Sequence, residues 1–123
     1  MTRALLGAML LQSVVSPNRV WLRLRLPVSS PYLVGHFPNE AILPGIAQLE
    51  LALHAACLLA GTELVLTGAR GVRLRRALRP DDEFDLIVTR GDALGDVHFE
   101  VRAAEGRASN GILEVSGVAA PRV

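Results

Sequence analysis

Residues 19–26, RVWLRLRL, alternate apolar and polar positions without a break. Val20, Leu22, Leu24 and Leu26 fall on one side, and Arg19, Trp21, Arg23 and Arg25 on the other. A period of two marks a strand with one buried face. Pro27 ends it, and the stretch VSSPYLVGHFPNEAILPG, residues 28–45, is punctuated by proline and glycine without any period, which reads as a loop. From Ile46 to Ala60 no breaker interrupts a run that is apolar nearly all round. Pro44 fixes φ at its start and Gly61 offers the stop, so the spacing predicts one helix of about four turns, buried on most sides. After it come only strand signals: ELVLTGARGVRLRRAL (63–78), EFDLIVTR (83–90), DVHFEVRAA (96–104) and GILEVSG (111–117), with RPDDE, GDALGD and EGRASN as turns. Alternation in the first of these is expected to bury Val72 and Leu74 and to turn Arg73 and Arg75 outward. His98, between Val97 and Phe99, is expected to face solvent.

One strand, a loop, one buried helix and a run of further strands describe an α+β domain in which an antiparallel sheet wraps the only helix. There is no internal repeat or linker, so residues 1–123 are read as one domain, too short to hold a separate cofactor domain as well. An open sheet has edges, and pairing across a twofold axis covers one of them. Composition adds weight to that idea. Half of the residues are hydrophobic and the mean hydropathy is +0.35, so part of the apolar surface is expected in a subunit interface, making the protein a dimer.

Charge changes the picture only locally. The net charge is +1, which argues against a nucleic-acid partner. All thirteen basic residues are arginine, however, and Arg70, Arg73, Arg75, Arg76 and Arg79 fall within ten positions. Such a patch is either a solvated strand face or a dock for an acidic partner. The single Cys57 sits in the apolar run as a small hydrophobe, excludes an internal disulfide and fits a reducing cytoplasm; no metal site is expected. Arg3 followed by the largely apolar stretch Ala4 to Val15 mimics a short secretory signal, but Pro17 would follow a cleavage after Ser16 and the next residues already read as a strand, so a signal is not expected. Gln48, Glu50 and His54 interrupt the longest apolar run, and no membrane span is expected.

Glu50 raises the chemical question. An ionised carboxylate among Leu49, Leu51 and Leu53 costs several kcal/mol, so it must be protonated, paired or turned to a polar cavity. His54 lies four residues on, on the same helix row, and a satisfied Glu50–His54 pair that merely holds the helix is one reading. The preceding loop supports another. Pro38 and Pro44 stiffen it, Gly45 leaves the first helical N–H groups unobstructed, and His36 is a base that titrates near neutral pH. A base, a neutral carboxylic acid and an oxyanion donor are what β-elimination from a thioester requires.

The stretch GHFPNEAILPGIAQLE resembles the signature of the FabZ/FabA-type 3-hydroxyacyl-acyl-carrier-protein dehydratases, roughly G-H-F-P-G-x-P-[IV]-[ML]-P-G-V with an acidic residue fourteen positions after the histidine. VRLRRALRPDDEFDL also resembles that family's K-F-x-R-P-V-x-P-G-D segment, so the likeness spans about residues 20–118. The resemblance implies the hot-dog fold, one long helix wrapped by a bent antiparallel sheet, working as a dimer. It implies His36 as the catalytic base, Glu50 as the catalytic acid and the Gly45 N–H as the group that polarises the thioester carbonyl, with no cofactor. The implied partners are an acyl carrier protein bearing a 3-hydroxyacyl chain and a second copy or a related hot-dog subunit. Three positions depart from the pattern: Asn39 for glycine, Ala41 for proline, and His54 where the fatty-acid enzymes have glutamine. The ILPGIAQLE stretch looks nearer to the dehydratase-like proteins of aryl-polyene and related pigment or lipid clusters. Tyr32 and Phe37 either line an acyl channel or belong to the core. Two alternatives to a dehydratase remain: a hot-dog acyl thioesterase, and a non-catalytic subunit that pairs with an active homologue.

Overall fold

The structure is a computed structural model and describes residues 9–26 and 45–117. Strands β1 (Leu10–Val15) and β2 (Arg19–Arg25) precede the helix α1 (Gly45–Ala60). Strands β3 (Leu64–Leu74), β4 (Glu83–Arg90), β5 (Asp96–Ala103) and β6 (Gly106–Gly117) follow it. The six strands form one sheet in the order β1-β2-β4-β5-β6-β3, antiparallel at every pairing.

Alternation sets the core. Val20, Leu22 and Leu24 of β2, Phe84, Leu86 and Val88 of β4, and Val97, Phe99 and Val101 of β5 are all buried. The register carries these rows across the sheet, since Leu22 faces Leu86, Leu86 faces Val101, and Val88 faces Phe99. Each fully buried leucine contributes about 2 kcal/mol of transfer free energy. Against this face α1 lays Ala47, Leu51, Ala52, Ala55, Ala56 and Leu59, and the short alanine side chains let the sheet come close. The helix touches β2, β3, β4, β5 and β6. Five flat strands at a spacing of about 4.8 Å span roughly 24 Å, twice the width of a helix at about 10–12 Å. The sheet therefore has to curve around α1. At the far end, Arg90 of β4 donates from Nη2 to the Leu59 carbonyl (3.2 Å) and from Nε to the Pro17 carbonyl (2.8 Å), placing a cation at the negative end of the helix dipole. Among the described residues no helix is long and apolar enough to cross a membrane.

Three expectations need correction. Residues 10–15, to which the sequence pattern assigns no element, form the edge strand β1 paired with β2. The last strand begins at Gly106, five residues earlier than its alternation suggested, because the expected turn EGRASN continues the β5–β6 ladder. Leu74 is 56% exposed and only Val72 packs on the core. The reason is geometric: Leu74 lies at the very start of α1, where the helix that would cover it ends, and β3 is an edge strand. His98 is exposed, as its alternation predicts.

A bulge in β3 shapes the approach to that edge. Between Arg70, opposite Ile112, and Arg73, opposite Asn110, one extra residue is inserted, with Gly71 at φ +61°. This drops Val72 onto Gly111, where an added Cβ would come within 2.9 Å of the Val72 Cα and 3.1 Å of the Phe99 ring. Alanine in place of a strand glycine ordinarily stabilises by about 0.5–1 kcal/mol. Here the backbone contact reverses the sign, and Gly111→Ala should destabilise by about 1–3 kcal/mol in urea unfolding; equal or greater stability would show that β3 yields freely.

Candidate active site

The site is built on the side of α1 that the sheet does not enclose. Glu50 and His54 stand one turn apart on one row of the helix, and both are half-buried. Leu58, one further turn along, is 45% exposed. Glu50 and His54 each interact with a neighbouring group. The expected acid thus projects from a rigid element, on a stripe with its own sheet behind it. Gly45 is the first residue of α1, and a Cβ there would overlap the Leu74 side chain of β3. Its lack of a side chain is what lets the helix start sit against that strand. His36, Tyr32 and Phe37, together with Asn39 and Ala41, lie outside the described residues.

The arginine patch is not a uniform field. Arg70 pairs with Asp96 through both guanidinium nitrogens and approaches Glu114 at 3.7 Å. Arg76 reaches Glu105 at 3.4 Å. Arg79 donates its backbone N–H to Asp82 Oδ2. Among the described residues no carboxylate pairs with Arg73 or Arg75, which leaves these two cations for a partner.

Beyond Glu50 along the helix opens a cavity of about 740 Å³. Ala56, Leu59, Ala60, Leu64, Val97 and Val115 supply its apolar wall. At 1.5 Å per residue its near end, Ala56, lies about 9 Å from Glu50 along the helix axis. Among the described residues no three His, Cys, Asp or Glu side chains gather at metal-binding spacing.

Sequence reasoning did not find the role of Gln48. It is 2% exposed, and its Oε1 accepts a 2.6 Å hydrogen bond from the hydroxyl of Ser109, which is fully buried. Its Nε2 donates to the Arg76 carbonyl at 3.4 Å. The signal was its place on the row of Leu51, Ala52 and Ala55: an amide on a core face demands partners.

Residues 12–112 match the sequence profile of the ApeI-like family, described as ApeI dehydratase. The chain belongs to the ApeI-like dehydratase family. A relative named 3-hydroxyacyl-[acyl-carrier-protein] dehydratase FabZ, from Chlamydia caviae, is 33% identical over 105 residues, covering 71% of this chain and 68% of that one. The chain spans about half the length of other curated relatives it matches. FabZ of Polaromonas sp., for instance, is 33% identical over 72 residues, covering 50% of each chain. Among solved structures, a chain of the dehydratase heterocomplex ApeI:P from Xenorhabdus doucetiae has a TM-score of 0.74 at 20% identity, covering 85% of this chain and 98% of that one. That likeness establishes the hot-dog fold for this ApeI-like protein.

One electrostatic consequence is directly measurable. The Arg70 guanidinium beside Asp96 holds its carboxyl below the ordinary aspartate value of 3.8, against partial burial that pushes it up. A depressed pKa contributes stability that is present above pH 3.8 and lost as the pH falls through the lowered value. In Arg70→Ala the Asp96 carboxyl should titrate at higher pH, and the stability difference from the parent should vanish in acid. Carboxyl NMR and acid unfolding follow both; an unmoved Asp96 titration would mean that the pair does not form in solution.

Proposed function

We propose that this chain dehydrates a 3-hydroxyacyl thioester, carried on an acyl carrier protein, to the trans-2-enoyl thioester. The observation that carries the reading is Glu50, half-buried on the open stripe of α1 and fourteen positions after the histidine of the GHFP motif. Membership of the ApeI-like dehydratase family supports it. His36 removes the α-proton, and the electron pair forms the Cα–Cβ double bond. The bond from Cβ to the hydroxyl oxygen breaks, and Glu50 gives its proton to the departing oxygen, so that water leaves. The Gly45 N–H, at the helix start, receives the thioester carbonyl as charge builds on it. A subunit pair completes the reading: the stripe bearing Glu50 and the free edge of β3, with Val65 48% and Leu66 38% exposed, both need covering.

A second reading is a subunit whose partner supplies part of the machinery. The likeness to a chain of the ApeI:P heterocomplex and the half-buried His54 beside Glu50 favour it. Turnover by the purified chain alone separates the two readings.

His36→Ala and Glu50→Gln should each lower dehydration by about 10²-fold or more. Both should leave the fold intact, because His36 falls in the stretch whose sequence reads as a loop and Glu→Gln keeps its shape. The enoyl thioester is followed against release of free thiol, which would instead mark a thioesterase. Near parental rates in either variant place the chemistry elsewhere.

Charge reversal at Arg73 and Arg75 should weaken turnover of the carrier-bound substrate, most strongly at low salt, while sparing a small pantetheine thioester. Steady-state kinetics at two ionic strengths test this; equal losses on both substrates would point to a folding defect.

A further inference from the structure

The core face of α1 is apolar except at one position. Gln48, buried among leucines and alanines, brings an amide that costs free energy wherever it is unsatisfied. An apolar side chain of the same volume would fill the space without that demand. The question is what the amide holds. Its oxygen is bonded to Ser109 of β6 and its nitrogen to the main-chain carbonyl of Arg76. The next residue along β6 closes the circuit: the carbonyl of Ala108, fully buried, accepts from both Arg75 N (2.8 Å) and Arg76 N (3.1 Å). The first turns of the helix, the β6 strand and the segment leaving β3 are thus joined by four hydrogen bonds. Two residues before the Arg75–Arg76 pair stands Arg73, and between them Leu74 abuts Gly45.

We propose that Gln48, with Ser109, is a positioning residue that locks the arginine-bearing segment to the first turns of the catalytic helix. An acidic carrier docked on Arg73 and Arg75 then delivers its thioester at a fixed place relative to Gly45 and Glu50. The inference rests on the carrier-thioester dehydratase reading above and adds a division of labour to it. Arg73 and Arg75 hold the carrier, Glu50 acts on the substrate, and the Gln48–Ser109 pair keeps the distance between them. Gln48 suits the task because it lies two residues before Glu50 and about 160° round the helix from it. Fixing one side of the helix to the sheet sets the direction of the other.

The test uses the double variant Gln48→Met with Ser109→Ala, which removes both partners of the side-chain pair together; the Arg76 carbonyl that loses its donor belongs to an exposed residue, so the variant stays folded. Turnover is measured with a carrier-bound 3-hydroxyacyl thioester and with a short pantetheine thioester, and carrier affinity by calorimetry. The expected result is a loss of about tenfold or more in kcat on the carrier-bound substrate, a much smaller loss on the pantetheine thioester, and an unchanged Kd for the carrier. In hydrogen exchange, carrier binding should slow the amides of residues 46–49 in the parent and not in the double variant. Proportional losses on both substrates, or none on either, overturn the inference and leave the dehydratase reading standing. A parent chain inactive on both substrates overturns the reading, and absence of carrier-induced protection then removes the inference as well.

Discussion

The helix α1, apolar almost all round, must be enclosed, and among the described residues the one sheet does not enclose it completely. This mismatch organises the molecule. Curving the sheet brings five strands onto α1 and buries the row from Ala47 through Leu59. What curvature leaves over is one stripe, and the only carboxylate of the helix stands on it, with His54 and Leu58 along the same side. A carboxylate on the enclosed face would have no solvent. On the leftover stripe Glu50 is half-buried with a rigid scaffold behind it.

The same geometry explains why the helix needs its two ends treated differently. At the carboxyl end Arg90 crosses from β4 to cap the Leu59 carbonyl, which closes that end with a side chain. At the amino end Gly45 brings no side chain at all and rests against Leu74. One end is closed by charge, and the other begins at a residue without a side chain, packed against the edge strand.

Much of this was legible in the sequence. Strict alternation in residues 19–26, 83–90 and 96–103 gave three central strands, because a strand with a helix on one face and solvent on the other must alternate. The breaker-free run after Pro44 gave the helix within a residue. Edges were harder, since β1 is exposed along its whole length and β3 along most of its own, so that few of their residues answer to a fixed inside. LLQSVV therefore reads as an apolar run, and Leu74 keeps the alternation of a buried position without the cover. The start of β6 was hidden by glycine, serine and asparagine, which signal a turn locally and were overridden by pairing with β5. Of the candidate site, Gly45 and Glu50 could be placed by motif and helix spacing. Gln48 could not, because its partner Ser109 is 61 residues away in the chain and only the folded sheet brings them together.

The strand order has a bearing on how the molecule comes into being. β3 follows the helix directly, yet its neighbour in the sheet is β6, the last of the described strands in chain order. Until residues 106–117 have been synthesised, β3 has no ladder to join, and the Gln48 amide lacks its hydroxyl. The apolar helix thus spends the making of some fifty residues under an incomplete cover. Non-local pairing of this kind is slow, and it leaves apolar surface open to other chains while it waits. For a nascent chain of this fold, arrival of the C-terminal strand is the event that ends that exposure.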